Sequence, residues 1–189
     1  MKISIIIPTI NRVSLSTVIR SLKGQDFDEI IIINDKSACA SNARNRGIDM
    51  ATGDILVFID DDIECTNDFI EQGRLFFEQL PEVDLMQGNI MGQIETSDTH
   101  MFVTANLWIK REVAKKIRFD ENFKKSGHED LDFGWRVMDG GYNIKFNSWC
   151  LVRHDGPAGS VYTEEAENLL KSKHPEKYKK LKEENNSWI

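Results

Sequence analysis

The sequence predicts a single α/β domain built on a doubly wound, mainly parallel sheet flanked by helices. Three runs, Ile3–Ile7, Glu29–Ile33 and Ile55–Ile59, are near-continuously apolar and rich in β-branched residues, as strands buried on both faces are. Segments with helical spacing separate them, and strands alternating with helices pair in parallel through right-handed crossovers. Polar residues collect where the runs end, at Asn34-Asp35 and at Asp60-Asp61-Asp62. The carboxyl ends of the strands are where open α/β sheets bind ligands.

In chain order, Pro8 closes the first strand. Ser14 suits the N-cap of a helix in which Leu15, Val18, Ile19 and Leu22 share a face, and Gly24 stops it. A second helix, Ser41–Ala51 with Gly53 as its cap, carries a stripe of Ala40, Ala43, Gly47 and Ala51, small enough for close packing on a sheet. Asn67 can cap a third helix whose apolar face (Phe69, Ile70, Gly73, Phe76, Phe77 and Leu80) reads as core and which ends at Pro81. Val83–Ile90 and Met101–Ile109 read as strands joined by a polar loop, either of which can join the sheet antiparallel, and Lys110–Ile117 reads as a short helix. A glycine turn at Gly127 leads into a helix that starts near Glu129 and Asp130 and ends at Gly140-Gly141, followed by two β-like pieces, Asn143–Asn147 and Trp149–Val152, and by Arg153-His154-Asp155. The tail from Thr163 reads as one or two amphipathic helices broken at Pro175, with its charges on a solvated face.

At 189 residues, 40% hydrophobic and 29% charged, the chain has the length and composition of one globular domain with a substantial core. A net charge of −7 argues against a nucleic-acid partner, because phosphate binding needs a basic stripe and only the C-terminal end offers one. Cys39, Cys65 and Cys150 match no zinc or redox spacing, so reduced thiols in a cytoplasmic protein are expected. No apolar run approaches the ~20 residues of a membrane span. A soluble protein, at most peripherally attached to a membrane, is the expectation.

Two acidic clusters carry the chemistry. Three adjacent carboxylates, Asp60, Asp61 and Asp62, repel one another and persist at a strand end where a cation or hydrogen-bond donors compensate them. Hard oxygen ligands there suit Mg²⁺ or Mn²⁺, the alternative being a solvated acidic turn. Glu129 and Asp130 fall in the first turn of their helix, where the dipole and free amides favour the charged form, whether or not they do chemistry.

Taken together, IIIPTINR, IIINDKS, SNARNRGIDMATGDILVFIDDD, TANLWIKREV and GHEDLDFGWRVMDGGYNI resemble, in the right order, successive pieces of the family 2 glycosyltransferases, which have the GT-A fold. The resemblance runs from Ile3 to about Asp155. It implies a GT-A domain over residues 1–160, with a nucleotide-sugar half to about residue 92 and an acceptor half from residue 93, followed by a helical tail from 161 to 189.

The resemblance further implies that Asp35 contacts the nucleobase, with Pro8 and Thr9 lining the same pocket and Arg12 and Arg44 on the donor side. Asp62 would bind a Mn²⁺ or Mg²⁺ ion, Asp60 and Asp61 would approach the ribose or metal-bound water with Asp60 a further metal ligand, and His154 would complete the metal shell. Asp130 would be the general base, with Glu129 the adjacent alternative. Asn106 falls on the acceptor side, and Trp135 is either a sugar-stacking platform or a core residue. The activity implied is metal-dependent, inverting transfer of a sugar, hexosyl or N-acetylhexosaminyl, from a nucleotide diphosphate sugar to a glycan or other hydroxyl acceptor. A silent binding protein of the same fold and a sugar nucleotidyltransferase are the alternatives; the latter normally has a glycine-rich basic signature that PTINRVS lacks. One departure stands out: few residues separate Asp35 from Ser41, where relatives place a further helix and strand. Lys36, Arg44 and Arg46 are then candidates to replace lost base contacts, and a dimer mate or partner subunit could complete the acceptor site.

Overall fold

The computed structural model of the chain describes residues 1–10, 13–37, 39–91, 101–124, 127–154 and 163–184. The strands are β1 (Ile3–Thr9), β2 (Glu29–Asn34), β3 (Ile55–Phe58), β4 (Ile63–Cys65), β5 (Leu85–Ile90), β6 (Leu107–Lys110) and β7 (Ile144–His154). The helices are α1 (Leu15–Ser21), α2 (Ala40–Met50), α3 (Phe69–Gln79), α4 (Arg111–Ile117), α5 (Glu129–Asp139), α6 (Glu164–Lys173) and α7 (Pro175–Glu184).

Among the described residues the seven strands form one sheet in the order β2-β1-β3-β6-β5-β7-β4. β6 and β4 run against the other five, so the sheet is mainly parallel. The strand period of two splits the apolar runs of β1 and β3 between two cores, whereas β2, expected to be buried on both faces, lies at the sheet edge and leaves Ile32 exposed. Ile6, Leu56 and Phe58 face the core shared with α2, α4 and α5, whereas Ile5, Ile7, Ile55 and Val57 face the core under α1 and α3. Gly47 brings α2 onto β1, since a Cβ there would lie 2.4 Å from Ile6 Cγ2.

The structure departs from the sequence expectations where local pattern is weak. Pro8 lies inside β1, paired with Ile33, and the strand ends one residue later. Asp68, not Asn67, is the N-cap of α3, and α2 ends at Met50 with Ala51, not Gly53, as its C-cap. Only Leu107–Ile109 of the Met101–Ile109 stretch is strand, because a 3₁₀ turn occupies Thr104–Asn106. The polar loop before it lies largely outside the described residues. The two β-like pieces near the C-terminus are one strand, β7, whose register on β5 shifts after Gly88, so that Asn147 pairs with Gly88 but Leu151 with Asn89. Such a bulge bends its strand.

That bend matters for the short strand β4. Four residues, Ile59–Asp62, join β3 to β4 and span at most about 17 Å. In a flat sheet, four strand spacings would set the two about 19 Å apart. The sheet therefore curls, carrying β4 back toward α1: Cys65 N donates to Ser21 Oγ at 3.1 Å, and Gln25 Nε2 donates to the Thr66 carbonyl at 3.0 Å. The acidic triplet is the link across the curl.

The tail is part of the packed domain. Ala166, Leu170, Tyr178 and Leu181 are buried in the core that also holds Trp135 and Val137 of α5. Asp132, fully buried, receives Arg136 Nε at 2.8 Å, Lys173 Nζ at 2.6 Å and His174 Nε2 at 3.0 Å. Part of the tail's charge is thus spent inside rather than on a solvated face.

Candidate active site

The carboxyl ends of β1, β2 and β3 lie side by side and bring Thr9, Asp35 and Asp60–Asp62 to one edge of the sheet. The Thr9 carbonyl accepts from Asp35 N at 3.0 Å, which locks the two strand ends together. Asp35 accepts from both Ser37 N (2.9 Å) and Ser37 Oγ (2.6 Å), and these bonds hold its carboxyl below the usual range, with the charge of exposed Arg46 helping. Pro8 is half-buried beside them. Arg12 lies outside the described residues, as do Ser126 and Asp155.

Each acid of the triplet has a different environment. Asp61 is buried and accepts a 2.5 Å hydrogen bond from Thr9 Oγ1. Asp60 receives Arg44 at 3.1 Å; burial raises its pKa against the pull of that guanidinium, and the charges of Asp62 and Glu129 raise it further. Asp62 approaches His154, with Oδ1 3.2 Å from Nε2. Register explains that approach, because Ile63, next to Asp62, is paired with His154 across the β4–β7 ladder.

Among the described residues no three His, Cys, Asp or Glu side chains gather closely enough to hold a metal ion by themselves. The pair that does converge, one carboxylate and one imidazole, nevertheless fits a divalent ion. Small hard cations keep waters and bind through one or two protein ligands plus substrate phosphates, so a partial ligand set beside a strand end is the expected form.

The second cluster opens α5. Gly127 (φ 122°) and His128 (φ 66°) both sit in the left-handed region, uncommon for a non-glycine residue, and their turn folds the chain back so that Gly127 N donates to Glu129 Oε2 at 2.6 Å. Glu129 also receives Arg44 Nη1 at 2.8 Å and is only 4% exposed. It is therefore a structural anchor rather than an alternative base. Asp130, half-buried, accepts from Leu131 N at 2.8 Å. Burial, reinforced by the Glu129 charge, pushes its pKa up to about 7 against the pull of Arg44. A carboxyl of that affinity can accept a proton near neutral pH.

Three expectations are corrected by burial. Trp135 is 1% exposed and meets His174 edge-on at 5.2 Å, so it belongs to the core and offers no face to a sugar. Asn106, fully buried, donates to the carbonyls of Asn89 and Cys150 (both 2.9 Å) and accepts from Trp108 Nε1, so it staples β5, β6 and β7 together instead of meeting an acceptor. Arg44, 3% exposed, lies beneath the two acidic clusters rather than lining the donor pocket. An apolar concavity between α1 and β2, lined by Val13, Leu15, Ile19, Phe27 and Ile30, contains none of the acids. The turn at Gly127 was legible from its glycine, but the left-handed backbone of His128 was not, and the Arg44 bridge was missed because it joins residues 85 apart in the chain.

Comparison with known proteins agrees with this arrangement. The amylovoran biosynthesis glycosyltransferase AmsB of Erwinia amylovora is 28% identical over 75% of this chain and 65% of its own length. The uncharacterized glycosyltransferase MJ1057 of Methanocaldococcus jannaschii is 20% identical over 84% of this chain and 61% of its own. The chain thus spans less than two-thirds of the length of these curated relatives. Among solved structures, S. aureus TarS in complex with UDP-GlcNAc superposes with a TM-score of 0.70 at 15% identity, over 93% of this chain and 67% of that one, which establishes the GT-A fold. Among the described residues no helix is long and apolar enough to cross a membrane. Residues 39–133, half of the sequence and including α2, the acidic triplet and the start of α5, match glycosyl transferase family 2, and the chain belongs to that family.

Proposed function

We propose that the protein is a metal-dependent, inverting glycosyltransferase that moves a sugar from a nucleotide diphosphate sugar to a hydroxyl acceptor, such as a glycan. The observation that carries the reading is the meeting of the two acidic clusters: Asp60 and Glu129 share one guanidinium, so the Asp62–His154 pair and Asp130 border one site. Asp35, Pro8 and Thr9 would hold the nucleoside, and Asp62 and His154, with Asp60 beside them, would hold Mn²⁺ or Mg²⁺. A divalent ion supplies Lewis-acid neutralisation of the diphosphate leaving group. Asp130 takes the proton from the attacking hydroxyl as the new C–O bond forms and the bond to the diphosphate breaks. With one base and no protein nucleophile in the scheme, a single in-line displacement inverts the anomeric carbon.

The TarS complex with UDP-GlcNAc makes UDP-sugars the first donors to test, and imidazole ligation makes Mn²⁺ the first ion. Thermal unfolding with a panel of nucleoside diphosphates, each with and without Mn²⁺, followed by a diphosphate-release assay, tests the proposal. One diphosphate should stabilise the protein only in the presence of metal. Stabilisation by none of them would sink the donor site.

A further inference from the structure

We infer that Arg44 is a positioning residue that sets the distance between the donor side of the site and the base, acting through Glu129. The inference rests on the function proposed above. Arg44 reaches out of α2 with one guanidinium and bonds Asp60, just beyond β3, at 3.1 Å, and Glu129, at the start of α5, at 2.8 Å. The carboxylates belong to two segments that share no strand pairing, and no sheet ladder fixes α5 relative to the end of β3. The guanidinium provides a direct charged tie.

Three features suit it to that task. The group is planar with its donors in a fixed fork, so engaging two carboxylates dictates their separation, which the single ammonium of lysine cannot do. It is 3% exposed, and Phe119 packs against it with the guanidinium carbon 5.5 Å from the ring centroid, so the side chain has little freedom. Glu129, at the far end of the bridge, is also held by Gly127 N at 2.6 Å and is followed directly by Asp130. A displacement of the bridge therefore moves the residue before the base, while Thr9, Asp61, Asp62 and His154 keep bonds of their own to β1 and β7.

The test compares wild type, Arg44→Lys, Glu129→Gln and the double variant, measuring UDP–Mn²⁺ binding by calorimetry, folding by thermal unfolding, and donor KM and kcat for transfer. Misplacing a reacting group by about 1 Å costs on the order of 10²-fold in rate. Arg44→Lys is expected to fold, bind UDP–Mn²⁺ within about threefold of wild type and lose roughly 10- to 100-fold in kcat. Glu129→Gln should give the same kcat-selective loss, and the double variant should lose little more than either single one, because the two residues act as a unit. Equal loss of UDP affinity and kcat in Arg44→Lys would make Arg44 a donor contact and overturn the inference, as would wild-type kcat or additive losses. Wild-type protein that binds no nucleoside diphosphate overturns the functional proposal and this inference with it. Wild-type binding and turnover with an unaffected Arg44→Lys overturns the inference alone.

Discussion

Thr9 Oγ1 donates a 2.5 Å hydrogen bond to Asp61 Oδ2, joining the end of β1 to the middle carboxylate of the triplet, with both residues buried. Thr9→Val keeps the shape and removes a donor to a buried anion. That should cost about 1–3 kcal/mol, several degrees of Tm. The loss should be smaller in the Thr9→Val/Asp61→Asn double variant than the sum of the single losses. Additive losses in thermal unfolding would show that this bond does not hold the triplet.

Asp130 predicts a pH profile. Its proton affinity is pushed up to about 7 by burial and by Glu129, and the base must be ionised to work, so kcat/KM should rise with pH and level off above about 7. Asp130→Asn should retain UDP–Mn²⁺ binding and lose transfer. Stability runs the other way, because the folded state binds this proton more tightly than the unfolded chain, whose value is near 3.8. The group's contribution is fully present below about pH 4 and is lost as pH rises through about 7. The Tm advantage of Asp130→Asn over wild type should therefore widen between pH 5 and pH 8, and parallel Tm curves would contradict the assignment.

Asp62→Ala tests the metal pair. A ligand at ~100 times its dissociation constant adds roughly 2.7 kcal/mol to stability. Wild-type protein should show that increment for UDP only when Mn²⁺ is present, and Asp62→Ala should lose the metal-dependent part. His154→Ala should weaken the same metal-dependent part. Unchanged metal dependence in both variants would remove the pair from the site.

The tail should prove inseparable from the site. Asp132 lies two residues beyond Asp130 and is held by Arg136, Lys173 and His174. Removing one partner of a buried ionic cluster costs about 3–5 kcal/mol. Lys173 keeps Asp120 at 2.5 Å, and Arg136 and Lys173 are each a quarter exposed, so Asp132→Asn should fall at the lower end. The Tm drop should be accompanied by a loss in kcat larger than that in UDP affinity, since the cluster grips α5 and not the triplet. A Tm change within error would show that the tail is held by apolar packing alone.

These residues also mark how far the sequence could be read. The three continuous β-branched runs declared strands because their own composition carries the information, and the acids at their ends followed directly; β1 and β3 are buried on both faces, whereas β2 lies at the sheet edge with Ile32 43% exposed, which composition alone does not reveal. The order of the pieces was enough to place Asp35, Asp62, Asp130 and His154 in one family pattern. β4 was illegible because three residues have no periodicity, and its partner lies almost ninety positions away. Trp135 and Asn106 looked available for substrate because a sequence does not say which side of a helix or strand the core will cover. Arg44 read as a donor contact because a basic residue near an anion-binding motif has many possible partners. Its two were fixed only when α5 packed beside β3.

The curl of the sheet has a consequence for chain length. Because only Ile59–Asp62 link β3 to β4, and Asp61 and Asp62 form the turn that meets the curl, the length of this link sets where Ile63 falls on β7. Removing one residue would peel Ile63 from His154 and separate the two jaws that would grip the ion, even with every acid retained. Adding one would let the jaws drift apart. The site thus depends on how many bonds lie between Phe58 and Ile63 as well as on which acid stands at each place, and exchanging this turn between relatives should succeed only at equal length.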